Sequence, residues 1–167
     1  DTGDGRLRFA IKALGDYTNT LPATVKVGDA VQVEGPYGRF SFKGRHPRQI
    51  WVAGGIGITP FIARMQALCE QPDGKAIDLF YSTSAPDAEF IRRLRQRAEQ
   101  AGVTLHVVIA AEQGRLTPQR IRELAPGWAE ASVWFCGPAG FGQSLREDWV
   151  AQGRSPDDFH QELFEMR

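Results

Sequence analysis

The 167-residue sequence has little cysteine, no excess of either charge and no long apolar run. Cys69 and Cys136, its two cysteines, stand far apart without metal-ligand spacing, so neither a disulfide framework nor a metal cluster is expected. Lys plus Arg and Asp plus Glu number 20 each, which removes the electrostatic footprint of a nucleic-acid binder. No stretch is long enough for a membrane span and no signal peptide opens the chain, so a soluble cytoplasmic domain is expected. An initiating Met is missing too: "DTGDG" begins on a turn leading into a strand, as an excised fragment does. The chain is therefore read as a piece of a longer protein. Both common phosphate-loop signatures are absent. In "IWVAGGIGITPF", residues 50–61, Pro60 stands where the third glycine of G-x-G-x-x-G would be, and no Lys-Ser/Thr pair follows.

What is present falls into two textures. Residues 6–42 read as β: "RLRFAIKAL", "AVQVEG" and "GRFSF" alternate apolar and polar with period two. Too few strands are present to close a barrel, so residues 1–44 are expected to be the second half of an antiparallel one. "GPYG" at 35–38 is read as a tight turn, and residues 45–48, with Pro47, as a polar hinge. From residue 49 to 167 strands alternate with helices, which implies a five-stranded parallel sheet covered on both faces. Ligands of such sheets lie at the carboxyl ends of the strands, so the loops after each strand are the places to look for a site.

The loop after the first of these strands is the strongest candidate. Gly54, Gly55 and Gly57 would let backbone amides approach a ligand, with no Cβ in the way. Thr59 is expected as the N-cap and Pro60 as the first helical residue. Free amides at a helix start suit a pyrophosphate. The plainer alternative is a tight turn with glycines for packing only.

Four segments in order, "VEGPYGRFSF", "VAGGIGITPF", "VWFCGPAGF" and "FHQELF", resemble the ferredoxin–NADP reductase superfamily. Its members join an FAD-binding β-barrel to a nicotinamide-nucleotide domain. The likeness covers nearly the whole chain, and leans toward bacterial ferric reductases and related NADPH oxidases. It implies sheet order 3-2-1-4-5 and a pyrophosphate of NAD(P)H at Gly54–Pro60. It implies FAD contacts at Gly15 and Thr18 of "GDYT", whereas the family's Arg-x-Tyr-Ser/Thr flavin motif is missing from the sequence. In the loop after the fourth strand it gives Gly137 and Pro138 to the coenzyme and sets Cys136 near the reactive nicotinamide carbon. On residues alone Cys136 is a core thiol, and a thiol-enzyme reading lacks a base, since His46, His106 and His160 form no motif with it.

The chain's end, "FHQELFEMR", has the superfamily's Glu-x-aromatic spacing, so the resemblance assigns Phe164 to stacking over the flavin and Glu162 to a hydrogen-bonding group beside Cys136. Phe159 is read as a core anchor. Ser84 is expected near the adenosine ribose, and Arg115 is the candidate for a 2′-phosphate against a reading as a solvated arginine. NAD and NADP both stay open. The basic run 92–100 reads as a solvated helix face, and His106 as structural.

The function these readings imply is hydride transfer from NAD(P)H to FAD, then single-electron transfer to haem, iron or another acceptor. A non-catalytic nucleotide-binding or regulatory module is the alternative. The resemblance also suggests a membrane or haem domain before residue 1, and exposed barrel edges suggest a dimer.

Overall fold

The computed structural model describes residues 5–13, 15–35 and 40–163. By contacts the chain divides into two compact units, Asp1–Arg39 and Phe40–Arg167.

In the first unit the "GDYT" stretch starts a helix, α1 (Asp16–Thr24). The Gly15 amide donates to Thr18 Oγ1 at 3.1 Å, and that hydroxyl donates to Gly15 O at 3.2 Å, closing the turn. The expected barrel strands are not formed among the described residues of this unit. Leu7, Phe9 and Ile11 keep their period-two spacing but are exposed, as are Val31 and Val33. Alternation fixes which face a strand would bury; a ladder also needs a neighbouring strand, and none is paired here. The "GPYG" turn lies largely outside the described residues.

The second unit has the expected sheet. Its strands are β1 (Arg48–Gly54), β2 (Ala76–Thr83), β3 (Val103–Ile109), β4 (Ala131–Gly137) and β5 (Phe159–Leu163). They pair in parallel in the order β3-β2-β1-β4-β5. The central strands β1 and β4 are almost wholly buried, which is why they read as unbroken apolar runs. Helices α2 (Thr59–Glu70), α3 (Ala88–Gln100), α5 (Pro118–Leu124) and α6 (Ala139–Ala151) connect them, with a single turn, α4 (Ala110–Gln113), after β3. The strand order reverses between β1 and β4, the place at whose carboxyl edge ligands of such sheets bind.

Each face of the sheet buries its own cluster. One holds Trp51, Phe61, Met65, Leu94, Trp134 and Cys136. The other holds Val52, Phe80, Ile121, Phe135, Leu145 and Trp149. The two core indoles satisfy their N–H groups within the sheet: Trp51 Nε1 donates to Gln49 Oε1 at 2.8 Å and Trp134 Nε1 to Ser132 Oγ at 3.3 Å. Phe40 and Phe42, expected in the barrel, pack edge-on and stacked against Trp134 at 5.2 and 5.1 Å. His106 is structural: it stacks on Phe80 at 4.4 Å and meets Asp78 at 3.1 Å, while Arg48 reaches the other oxygen of that carboxylate at 2.9 Å. On α3 Arg92, Arg93 and Arg95 are exposed, with Glu89 held between Arg92 and Arg93. Asp87 caps that helix by accepting the Phe90 amide at 2.8 Å.

Candidate coenzyme site at the carboxyl edge

The loop after β1 meets the loop after β4 backbone to backbone. A Cβ on Gly54 would stand 2.7 Å from Pro138 Cδ, and one on Gly137 would stand 3.0 Å from the Gly54 amide nitrogen. A Cβ on Gly57 would fall inside the Cys136 carbonyl. Gly54, Gly57 and Gly137 are thus required first by this interlock, the packing role that the sequence reading kept as the plainer alternative for the loop after β1. Gly55 differs from them. Its φ is +56°, and a Cβ there would touch nothing within 4 Å. The backbone at Gly55 is left-handed beside open space, which is the feature a ligand needs.

Thr59 does not cap the helix as expected. A 3-10 turn over Gly55–Ile58 runs straight into α2, Ile58 is already helical, and Thr59 Oγ1 donates to Ile56 O at 3.2 Å. The hydroxyl turns back into the turn because the chain is helical one residue too early for an N-cap. Pro60 sits in the first turn, as expected. Pro138 precedes α6, and its carbonyl accepts the Phe141 and Gly142 amides at 3.1 Å each. The start of α6 therefore flanks the Gly54–Gly137 contact on one side, and on the other the 3-10 turn continues into α2, with the Thr59 amide already donating to Ile56 O.

Cys136, next to last in β4, is in register with Ala53 on one side and Glu162 on the other. It is fully buried. Burial first, and the Glu162 carboxylate second, push its thiol up to about 12. A nucleophile must reach the thiolate near neutral pH, so the thiol-enzyme alternative fails on both burial and acidity. Glu162 is partly exposed. His160, two residues earlier, stacks on Trp134 at 3.9 Å, a contact no sequence signal announced. Phe164 lies outside the described residues.

At the neighbouring edge, Ser84 follows β2 and is exposed, while the Thr83 hydroxyl is spent on Ala85. Arg115 is exposed and has no hydrogen-bond or ion-pair partner among the described residues. Arg120 in contrast is committed to Gln113, at 3.1 Å to its carbonyl and 2.8 Å to its side chain. No group of three or more His, Cys, Asp or Glu that could hold a metal occurs among the described residues, and no helix among them is long and apolar enough to cross a membrane.

The pattern of the oxidoreductase NAD-binding domain family matches residues 51–147, which run from β1 into α6 and include the glycine interlock. The chain belongs to that family. The wider frame is the ferredoxin–NADP reductase superfamily, the resemblance read from the motifs. An NADPH oxidoreductase of Mycobacterium tuberculosis is 32% identical over 98% of this chain and 44% of its own length. The toluate 1,2-dioxygenase electron transfer component of Pseudomonas putida is 27% identical, over 96% of this chain and 51% of its own. Among solved structures, the flavohem-like FAD/NAD binding domain of nitric oxide dioxygenase from Vibrio cholerae superposes with a TM-score of 0.74 at 25% identity. That match covers 90% of this chain and 65% of the other. The NAD-binding domain chain thus spans about half the length of the curated relatives it matches.

Proposed function

We propose that this chain is the coenzyme half of an FAD-dependent NAD(P)H oxidoreductase, in which a hydride passes from NAD(P)H to FAD and the electrons leave singly to haem or iron. The observation that carries the reading is the glycine interlock of two loops at the switch point, with left-handed Gly55 opening beside it. Gly55 takes this conformation without steric cost because it has no side chain, and what favours a ligand is the position of that open space at the switch point of the sheet.

The residues divide the work. Gly55, with Gly54, Gly57, Thr59 and Pro60 shaping the turn, would hold the pyrophosphate against backbone amides and the start of α2. Gly137 and Pro138 would close the other wall. Ser84 would meet the ribose, and Arg115, exposed and unpaired, would meet a 2′-phosphate. Cys136 stays a neutral thiol at any physiological pH, so it can orient a neighbour without competing as a nucleophile. Glu162, beside it in register, would accept a hydrogen bond, and Phe164 would hold the stacking position. Gly15 and Thr18 at the start of α1 would contact the flavin pyrophosphate. The protein's own contribution is alignment of two planar rings, because the cofactors carry the chemistry.

The relatives' names support the acceptor class: one is an electron transfer component of a dioxygenase, another a flavohemoprotein of Candida norvegensis. Attachment to a membrane or haem domain, and dimerisation through barrel edges, belong to this proposal as well. Calorimetry of NADH and NADPH binding, to the natural chain and to Gly55→Val, tests the reading. Binding to the former and none to the latter is expected. Equal affinity for both would overturn it.

A further inference from the structure

The polar segment between the barrel sequence and β1 is tied down at nearly every residue. Gln49 Nε2 donates to Phe42 O at 2.8 Å. Lys75 Nζ donates to both Gly44 O, at 3.1 Å, and His46 O, at 2.8 Å. The Ala76 amide donates to Pro47 O at 3.0 Å. The side chains of Arg45 and His46 converge on one oxygen of Asp158, at 2.8 and 3.0 Å. Asp158 closes the 3-10 turn that leads directly into β5. A hinge leaves its backbone groups to water; this segment gives four carbonyls and two side chains to the body of the second unit.

What the segment covers is also specific. Phe42 is held at φ +56°, a left-handed conformation costly for a bulky residue. In that conformation its ring reaches Trp134 at 5.1 Å and Trp51 at 5.0 Å, with Phe40 packed beside it. Trp134 lies two residues before Cys136 on the same strand, so the two side chains share a face, and both belong to one buried cluster. On its flank Trp134 stacks with His160 of β5, the strand that carries Glu162.

We propose that Phe40–Pro47 is a latched strap, closed by Lys75 and Asp158, that seals the Cys136 face of the sheet and sets the start of β5. The strap's strained backbone at Phe42 stores a tendency to open, and the two latches oppose it. Loss of either latch frees the strap from its neighbours on one side, exposes Trp134, and loosens the β4–β5 edge at which Cys136 and Glu162 stand in register. Regulation of the proposed coenzyme site then lies in the latch, some distance from the carboxyl edge. This inference rests on the proposed roles of Cys136 and Glu162, and its test uses no coenzyme, so the two readings can fail separately.

The test combines trypsin cleavage with iodoacetamide labelling of the whole chain at pH 8, each followed by mass spectrometry. In the natural chain, cleavage after Lys43 and Arg45 and labelling of Cys136 should be slow, while exposed Cys69 labels quickly and serves as the internal standard. Asp158→Asn and Lys75→Met should each speed strap cleavage and Cys136 labelling about tenfold, a ratio of about 1.4 kcal/mol in opening free energy. Cleavage at Arg93 and Arg97 of α3 should not change. Arg45→Gln, altering a side chain that is 68% exposed, guards against variants that fail to fold; it removes one strap cleavage site, and should give a smaller rise in Cys136 labelling and in cleavage after Lys43. The proposal is overturned if strap cleavage is unchanged, if it rises only in step with cleavage of α3, or if the strap opens while Cys136 stays protected.

Discussion

Two glycines two residues apart, Gly55 and Gly57, should respond to alanine to different extents and for different reasons. At Gly57 a methyl group would enter the Cys136 carbonyl and crowd the Gly137 amide at 3.0 Å. Neither neighbour can yield easily, because Cys136 is paired to Ala53 on one side and Glu162 on the other. Overpacking a well-fixed core costs about 1–3 kcal/mol, and a backbone collision belongs at the upper end, about 3 kcal/mol. At Gly55 the methyl group meets nothing, and the cost is the left-handed φ alone, about 1–2 kcal/mol. For a chain of this size each kcal/mol moves Tm by about 2–4 °C. Gly57→Ala should therefore melt about 6–12 °C below the natural chain, and Gly55→Ala about 2–8 °C below it.

All four tryptophans, Trp51, Trp128, Trp134 and Trp149, belong to the second unit, so their fluorescence follows its unfolding without a signal from the first. Coenzyme titration of the same samples separates the second role. Gly55→Val should fold yet lose NAD(P)H, since the side chain would project into the space left for phosphate. A Gly57→Ala chain that melts no lower than Gly55→Ala would refute the interlock as the reason for that glycine.

Four other outcomes follow. Burial alone would raise the Asp158 carboxyl, but hydrogen bonds from Arg45 and His46 outweigh it and hold the group below its ordinary value; its contribution is present above the unfolded carboxylate range and is lost as pH falls through the folded value. Urea midpoints should fall across that acid window in the natural chain and flatten in Asp158→Asn. Burial holds His160 below the ordinary imidazole value, against an opposing pull from Asp158; its proton binds the unfolded chain more readily, so stability should begin to fall as pH drops below about 6.5, and His160→Gln should remove that first step. Arg115→Ala should weaken NADPH about tenfold and leave NADH unchanged, the signature of a lost charged hydrogen bond; an equal effect on both would return Arg115 to solvent. In the full-length protein, stopped-flow flavin reduction should show Glu162→Ala slowing hydride transfer with little change in binding, and Phe164→Ala tightening nicotinamide binding while slowing release.

The sheet was legible because buried parallel strands and amphipathic helices leave different marks. "ASVWFCG" is apolar but for Ser132 and became β4 over the same residues, while "PQRIREL" became α5 over the same residues. The first 35 residues show the limit of that logic. Alternation in "RLRFAIKAL" states a preference for a face, but a strand exists only when another strand accepts its hydrogen bonds, and the described part of the first unit supplies none. Thr59 was misread for a related reason. The Thr-Pro pair is a common helix start, yet the preceding "GIGI" had already closed a 3-10 turn, so the local signal for a cap was overtaken by structure formed one step earlier.

The site was legible as a location more than as a set of contacts. Glycines after a buried strand pointed to the carboxyl edge, and the interlock lies there. Which glycine serves the fold and which serves a ligand was not in the sequence, because the distinction depends on what stands opposite each Cα. Gly57 faces a carbonyl of β4, eighty positions further along the chain or nearly so, whereas Gly55 faces open space. Long-range opposition of this kind leaves no local pattern. The same holds for the strap: residues 45–48 are polar and include Pro47, which locally reads as a hinge. Lys75 and Asp158, lying far from it in sequence, convert it into a fixed edge. If the coenzyme half of such a reductase must present Cys136 and Glu162 at a constant separation, then fixing the chain just before β1 and just before β5 is the economical place to do it. Those two positions bracket β1, β4 and β5, the three adjacent strands that carry the proposed site.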